Sequence, residues 1–347
     1  MNKVTKCFSA KVVNMSLLCA LLVVSIHCGF HDTESDICKL INQIFSAGYS
    51  RIAVPFFFVM SGYFLAGHVC ESGWCKRELL KRVRTILVPY FTWSLIYQVL
   101  FIPFSIYADY RAGRPFGTNI AFLNGNALCV FGFEWDSYPA TIPLWFLRSL
   151  FLFVVVSPVI VWIINRAPKI WIWGLFVLSL LLGYAPDPDV GGWSGFFQHV
   201  FSVTGLMYFS FGIYARINDL SYCSRKVAII AIGAGILLLL INGVFTYYQV
   251  SLKLPFIAFA VPCLMYATWY FMPSNNLPAW LKGTSFPIYL MHMIFIGYWA
   301  TFTKNVGLDG DIVKLIVWPM AFVGCIILAN LLRKISTSLF AFLFGGR

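Results

Sequence analysis

The chain reads as an all-α polytopic membrane protein, and three observations predict that class. Of its 347 residues, 60% are hydrophobic and 11% charged, with a mean hydropathy of +0.80. A soluble domain carries about 25% charged residues, and a water-soluble fold of this length has no interior that would hide so much apolar surface. Apolar runs of about 20 residues, the length that crosses a hydrocarbon core, recur along the whole sequence. The cations, finally, alternate between successive connecting segments in the way that sets membrane orientation.

Ten spans are expected, at about 11–30, 52–69, 85–104, 143–165, 169–184, 195–214, 227–247, 252–272, 284–302 and 312–332. The fifth is short, and Ala185-Pro186-Asp187-Pro188-Asp189 after it is a breaker. Lys3, Lys6 and Lys11 precede the first run as in a signal peptide, but no small-residue cleavage site follows, so it is expected to be a retained helix. With a cytoplasmic N-terminus, 17 of the 25 cations fall in inner segments beside three acids, while six cations and ten acids fall outside. Arg148 and Lys314 lie within helices. Both termini are therefore expected in the cytoplasm, on one integral-membrane domain covering 1–347. The +12 formal charge is mostly topological and does not imply nucleic acid.

The ten cysteines are scattered and read as small hydrophobes within helices. No metal site is expected: Cys70 and Cys75 have no second pair. Cys38 and Cys129 fall in outer loops on one side and would pair if that side is oxidising. The one long outer loop, about Ser105 to Ile142, holds Asp109, Tyr110, Arg111, Arg114, Glu134, Trp135, Asp136 and Tyr138. Aromatics beside carboxylates suit sugar binding, and equally suit interfacial anchoring. The sequence contains no GxxxxGK[ST], GxSxG or HExxH, which removes the usual marks of nucleotide hydrolysis, serine hydrolysis and zinc proteolysis.

Four stretches carry groups that can do chemistry. His27 ends the first apolar run, and an ionisable group at membrane depth is a functional-site candidate by default. Ala20 and Ser16 precede it by seven and eleven residues on one helical face, a small-residue stripe that suits a lining surface. Leu17, Leu21 and Leu22 are expected largely off that stripe. Arg51 enters the second helix from outside, with Ser61, Gly62 and Tyr63 two to three turns deeper. Trp145 and Arg148 open the fourth helix, and a guanidinium there needs a carboxylate, carbonyls, water or an anionic substrate group. Ser285 to His292 contains Pro287, expected to bend the ninth helix, and a second intramembrane imidazole. On the inner side, the run from Lys76 to Arg84 either enforces topology and meets anionic lipid or docks a phosphate-rich cytosolic ligand.

Taken in order, LLVVSIHCG, VPFFFVMSGYFL, KRVRTILVPYFTW, LWFLRSLFLFVVVSPVI and SFPIYLMH resemble the acyltransferase-3 family of multi-pass membrane acyltransferases. The resemblance spans nearly the whole chain. It implies transfer of an acyl group, commonly acetyl, from cytosolic acetyl-CoA to a hydroxyl of a surface glycan or lipid-linked sugar, in the plasma membrane. It carries the essential histidine onto His27 and places Lys81, Arg82 and Arg84 near the donor. Many members have an arginine eleven residues before the histidine. Here that residue is Ser16, and Lys11, Arg51 or Arg148 are the cations available to replace it.

The mechanism these residues permit has His27 as the base and Arg148, or a hydroxyl such as Ser61, as the oxyanion donor. An acetyl-imidazole intermediate is equally open. Arg51, Tyr63, Trp145 and His292 complete the candidate set. Lys11 and His27 are 16 residues apart, about 24 Å at helical rise, a distance the donor's pantetheine arm would span. The main rival is a secondary transporter or flippase of a lipid-linked sugar, although the halves show no internal symmetry.

Overall fold

The computed structural model of the chain describes residues 5–28, 35–118, 120, 130–132, 139, 141–184, 191–220, 224–247, 255–308 and 311–346. Helix is the only regular structure among them. The principal helices are α1 (Lys6–His27), α2 (Ala53–Ala66), α3 (Val88–Arg111), α4 (Trp145–Arg166), α5 (Pro168–Leu182) and α6 (Val203–Ile217). They are followed by α7 (Arg225–Tyr247), α8 (Phe256–Phe271), α9 (Ser285–Asn305), α10 (Asp311–Ile335) and α11 (Thr337–Phe344). Each of the ten expected spans overlaps one of the first ten.

By length and composition, seven helical stretches among the described residues are long and apolar enough to cross a membrane. The apolar helices α5 and α8 have 15 and 16 residues, about 22–24 Å against a core of about 30 Å. Helix α9 is long enough but is not one of the seven. Pro287 is the third residue of α9, so it does not bend that helix as expected. In the first turn its missing N–H is one of those without an intrahelical partner anyway. Interior prolines occur instead in α3 (Pro103), α4 (Pro158), α8 (Pro262) and α10 (Pro319).

The chain divides into two compact units. The first comprises Met1–Gly67 and Phe211–Ile335, and α1 is its centre. Thr5 caps α1 by accepting the Phe8 N–H, and its 22 residues extend about 33 Å. Helix α1 packs on α2, α9 and α10, while α9 also lies along α10 and α7 along α8. Met15, Leu17, Cys19, Ala20, Leu22, Val23 and Val24 are all buried. Neighbours therefore cover most of its circumference, including Leu17 and Leu22, which were expected off the interior stripe. Close approach is set by glycine. A Cβ on Gly212 would overlap the Val59 carbonyl and lie 2.9 Å from the Tyr63 nitrogen of α2.

The second unit comprises His68–Ser210 and Ser336–Arg347. Within it, α4 packs on α5 and on the helix Trp74–Arg82, and α11 packs on α3. Phe344 is fully buried, with Phe340 4.7 Å and Trp93 5.7 Å away between ring centroids, and Trp93 donates its indole N–H to the Leu343 carbonyl at 2.9 Å. The outer-loop residues Glu134, Trp135, Asp136 and Tyr138, and Cys129, lie outside the described residues. Asp109 is buried and pairs with Arg114 at 3.4 Å.

Filling the space at Gly212 forces α6 off α2. Gly212→Val is expected to lower stability by about 1–3 kcal/mol, the usual range for overpacking, seen as a reduced melting temperature of the detergent-solubilised protein.

Candidate functional site

In the first unit the C-terminal turn of α1 carries the first of the candidate residues. His27 is half-buried at the last turn, and the imidazole of His292, from α9, lies 5.2 Å away between ring centroids with the planes 39° apart. The fold thus sets the second intramembrane imidazole beside His27. His292 is fully buried. Its Nδ1 lies 2.7 Å from the Tyr289 carbonyl and 3.3 Å from that of Ile288. A carbonyl only accepts, so in the neutral ring Nδ1 carries the proton and Nε2 keeps its lone pair. That Nε2 is buried and has no hydrogen-bond partner among the described residues. The second histidine of the pair is thus held in one tautomer with an unused acceptor.

Around the pair, the buried hydroxyls of Ser25 and Ser50 meet at 2.7 Å, joining α1 to the turn before α2. Arg51 follows in that turn and donates Nε–H to the Ala47 carbonyl at 2.7 Å. Deeper in α2, Ser61 is half-buried. Tyr63 stacks on Phe8 at 5.1 Å and accepts from Arg216 at 3.1 Å.

The N-terminal half of α1 is tied down by polar groups whose role the sequence did not reveal. Lys11 donates to the Tyr270 carbonyl at 3.1 Å and lies 5.1 Å over the Trp269 ring. Asn14 donates to the carbonyls of Pro273 and Asn275 at 2.8 and 2.9 Å. The end of a helix leaves carbonyls without partners, and those after α8 are answered by α1. No local pattern in either segment signals this, because the partners lie about 260 residues apart.

In the second unit, Arg148 donates to the carbonyls of Gly132 and, at 3.0 Å, of His199. Ser149 donates to Val200 at 2.9 Å. His199 and Val200 close a π-helical turn, Phe196–Val200, a geometry that displaces carbonyls from the regular ladder. The neighbouring Trp145 is half-buried. The three cations available to replace the missing arginine, Lys11, Arg51 and Arg148, therefore all bond main-chain carbonyls.

Also in this unit, Lys81 and Arg84 line a groove of about 690 Å³ together with Thr85, Phe342, Gly345 and Gly346. Arg82, next to Lys81 and two residues before Arg84, is not in its lining. Its side chain is 12% exposed and meets the 5%-exposed Glu78 at 2.9 Å, with Lys81 3.4 Å from the same carboxylate. Nearby, the Glu71 carboxyl is held below its usual range, chiefly by the hydrogen bond to His68 and further by the charge of Arg77.

Residues 16–334 match the acyltransferase-3 family, described as an acyltransferase domain. Among curated proteins, the succinoglycan biosynthesis protein ExoH of Rhizobium meliloti (strain 1021) is similar, 26% identical over 321 residues that cover 86% of this chain and 80% of that protein. No solved structure matches.

Removing one partner of a buried ion pair leaves the other charge uncompensated. Glu78→Gln is expected to cost about 3 kcal/mol through the stranded Arg82, whereas Lys81→Gln, at an exposed side chain, is expected to change stability by less than ~0.5 kcal/mol. Thermal melts of the two variants in one detergent check this.

Proposed function

This chain belongs to the acyltransferase-3 family, and we propose that it is a membrane enzyme that moves an acyl group, acetyl foremost, from a coenzyme A thioester to a hydroxyl of a polysaccharide or its lipid-linked precursor. The observation that carries the chemistry is the His27–His292 pair, two imidazoles 5.2 Å apart on helices that pack together. The similarity to a succinoglycan biosynthesis protein supports a polysaccharide acceptor. The alternating charge of the connecting segments supports ten spans in the plasma membrane with both termini cytoplasmic.

In the proposed reaction His27 takes the proton of the acceptor hydroxyl as its oxygen attacks the thioester carbonyl. A C–O bond forms, the C–S bond breaks, and the coenzyme thiolate leaves and recovers the proton from His27. Neutral imidazole is suited to both halves of this cycle near physiological pH. His292 acts through His27. Its Nδ1–H is anchored on Tyr289, so its Nε2 is the acceptor that can orient an N–H of the neighbouring ring. Ser61 serves as the oxyanion donor. Arg148 is assigned to joining its own turn and loop, because its guanidinium lies on the Gly132 and His199 carbonyls. Lys81 and Arg84 meet the donor's phosphates, and Arg82 holds the helix through Glu78.

Sealed membrane vesicles given radiolabelled acetyl-coenzyme A are expected to place label covalently on the polysaccharide fraction. Movement of an unmodified sugar without label would overturn the proposal in favour of transport. His27→Ala is expected to lower the transfer rate by about 10²–10⁴-fold, the range supplied by general acid–base catalysis, with unchanged protein level and melting temperature. His292→Ala is expected to lower kcat and shift the pH profile of the remaining activity while KM for the donor stays constant. A flat profile identical to wild type would reduce His292 to packing.

A further inference from the structure

The basic groove of the second unit has a wall that the donor reading did not include. Helix α11 is seated by Phe340 and Phe344 and by the Trp93–Leu343 hydrogen bond. It ends in two consecutive glycines at left-handed φ, Gly345 at 68° and Gly346 at 73°. A Cβ on Gly345 would lie 2.7 Å from the Cα and carbonyl oxygen of Thr85, so only glycine lets this end close against the basic segment. Gly346 faces open space, with nothing within 4 Å of a Cβ built there. Both glycine N–H groups bond the Ala341 carbonyl, so these residues contribute room rather than donors.

What borders that room is chemically specific. Lys81 and Arg84 supply two cations, Lys81 also lying 3.4 Å from Glu78, and among the described residues no carboxylate lines the groove. Thr85 also lines the groove, with its hydroxyl buried and without a hydrogen-bond partner among the described residues. The Phe342 ring is 54% exposed beside it. Two cations suit phosphate oxygens, and a bare aromatic face suits a stacked base.

We infer that α11 and its glycine end, closed against the Thr85 backbone, form with Lys81 and Arg84 a binding site for the phosphate-bearing nucleotide part of the acyl donor. The inference rests on the coenzyme A reading above and adds to it a second, sequence-distant wall. The absence of side chains at 345 and 346 keeps the site open, and Phe342 meets the base.

The test isolates charge from shape. Asn and Asp both tolerate left-handed φ and are nearly equal in size, so Gly346→Asn and Gly346→Asp differ by one negative charge in the groove. The full chain in phosphatidylcholine nanodiscs is titrated calorimetrically with coenzyme A. Gly346→Asp is expected to raise Kd at least tenfold over Gly346→Asn, which carries the cost of the filled space alone, and Phe342→Ala to raise Kd severalfold over wild type, all at equal melting temperature. Wild-type Kd in every variant overturns the α11 site while leaving coenzyme A as donor. No coenzyme A binding by the wild type removes the donor reading and this site together. Loss of binding when phosphatidylglycerol is added to the nanodiscs assigns the groove to a lipid headgroup and overturns the inference as well.

Discussion

Hydrocarbon offers no hydrogen-bond partner, and this constraint decides where the polar side chains of the helices go. Backbone groups left over at helix ends and π turns must find partners within the protein. Lys11 answers the Tyr270 carbonyl in the last turn of α8, and Asn14 those of Pro273 and Asn275 after it. Arg148 and Ser149 answer those of the turn Phe196–Val200. Trp318 of α10 donates to the Leu21 carbonyl of α1 at 3.3 Å. A charged or amide side chain at such a place removes two costs at once, its own desolvation and that of the orphaned carbonyl.

The same constraint gives the histidine pair its character. His292 satisfies one nitrogen on its own helix and leaves the other bare and fully buried. His27, at the last turn of α1, remains half-buried. A sealed ring with one open acceptor beside a partly accessible ring suits a division of labour, one imidazole placed by the protein and the other left to meet substrate. The burial of α1 on most sides makes this possible, because a helix held by three others offers a rigid base for a reacting group.

The basic run from Lys76 to Arg84 separates in a similar way. Neighbouring cations Lys81, Arg82 and Arg84 look interchangeable in sequence, yet Arg82 folds back onto Glu78 while the other two border a groove. An arginine four residues after a glutamate on a helix pairs with it readily, so this distinction was partly readable from the spacing of Glu78 and Arg82. The wall contributed by α11 was not, since nothing local links residue 345 to Thr85.

Composition and periodicity determined the helical membrane class and located ten segments, each of which holds a helix, because apolar runs of that length admit one solution in lipid. They also marked His27, Arg148 and His292, since an ionisable residue inside an apolar run stands out without any knowledge of contacts. Sequence overreached on the bend at Pro287, where position within the first turn removes the cost, and on the leucines of α1, where three packing neighbours bury more than one stripe. Only the tertiary structure decided which polar groups meet. The pairing of His27 with His292 and the seating of Lys11 on Tyr270 join residues about 260 apart, and partners at that range are chosen by helix packing rather than by any local preference of the chain.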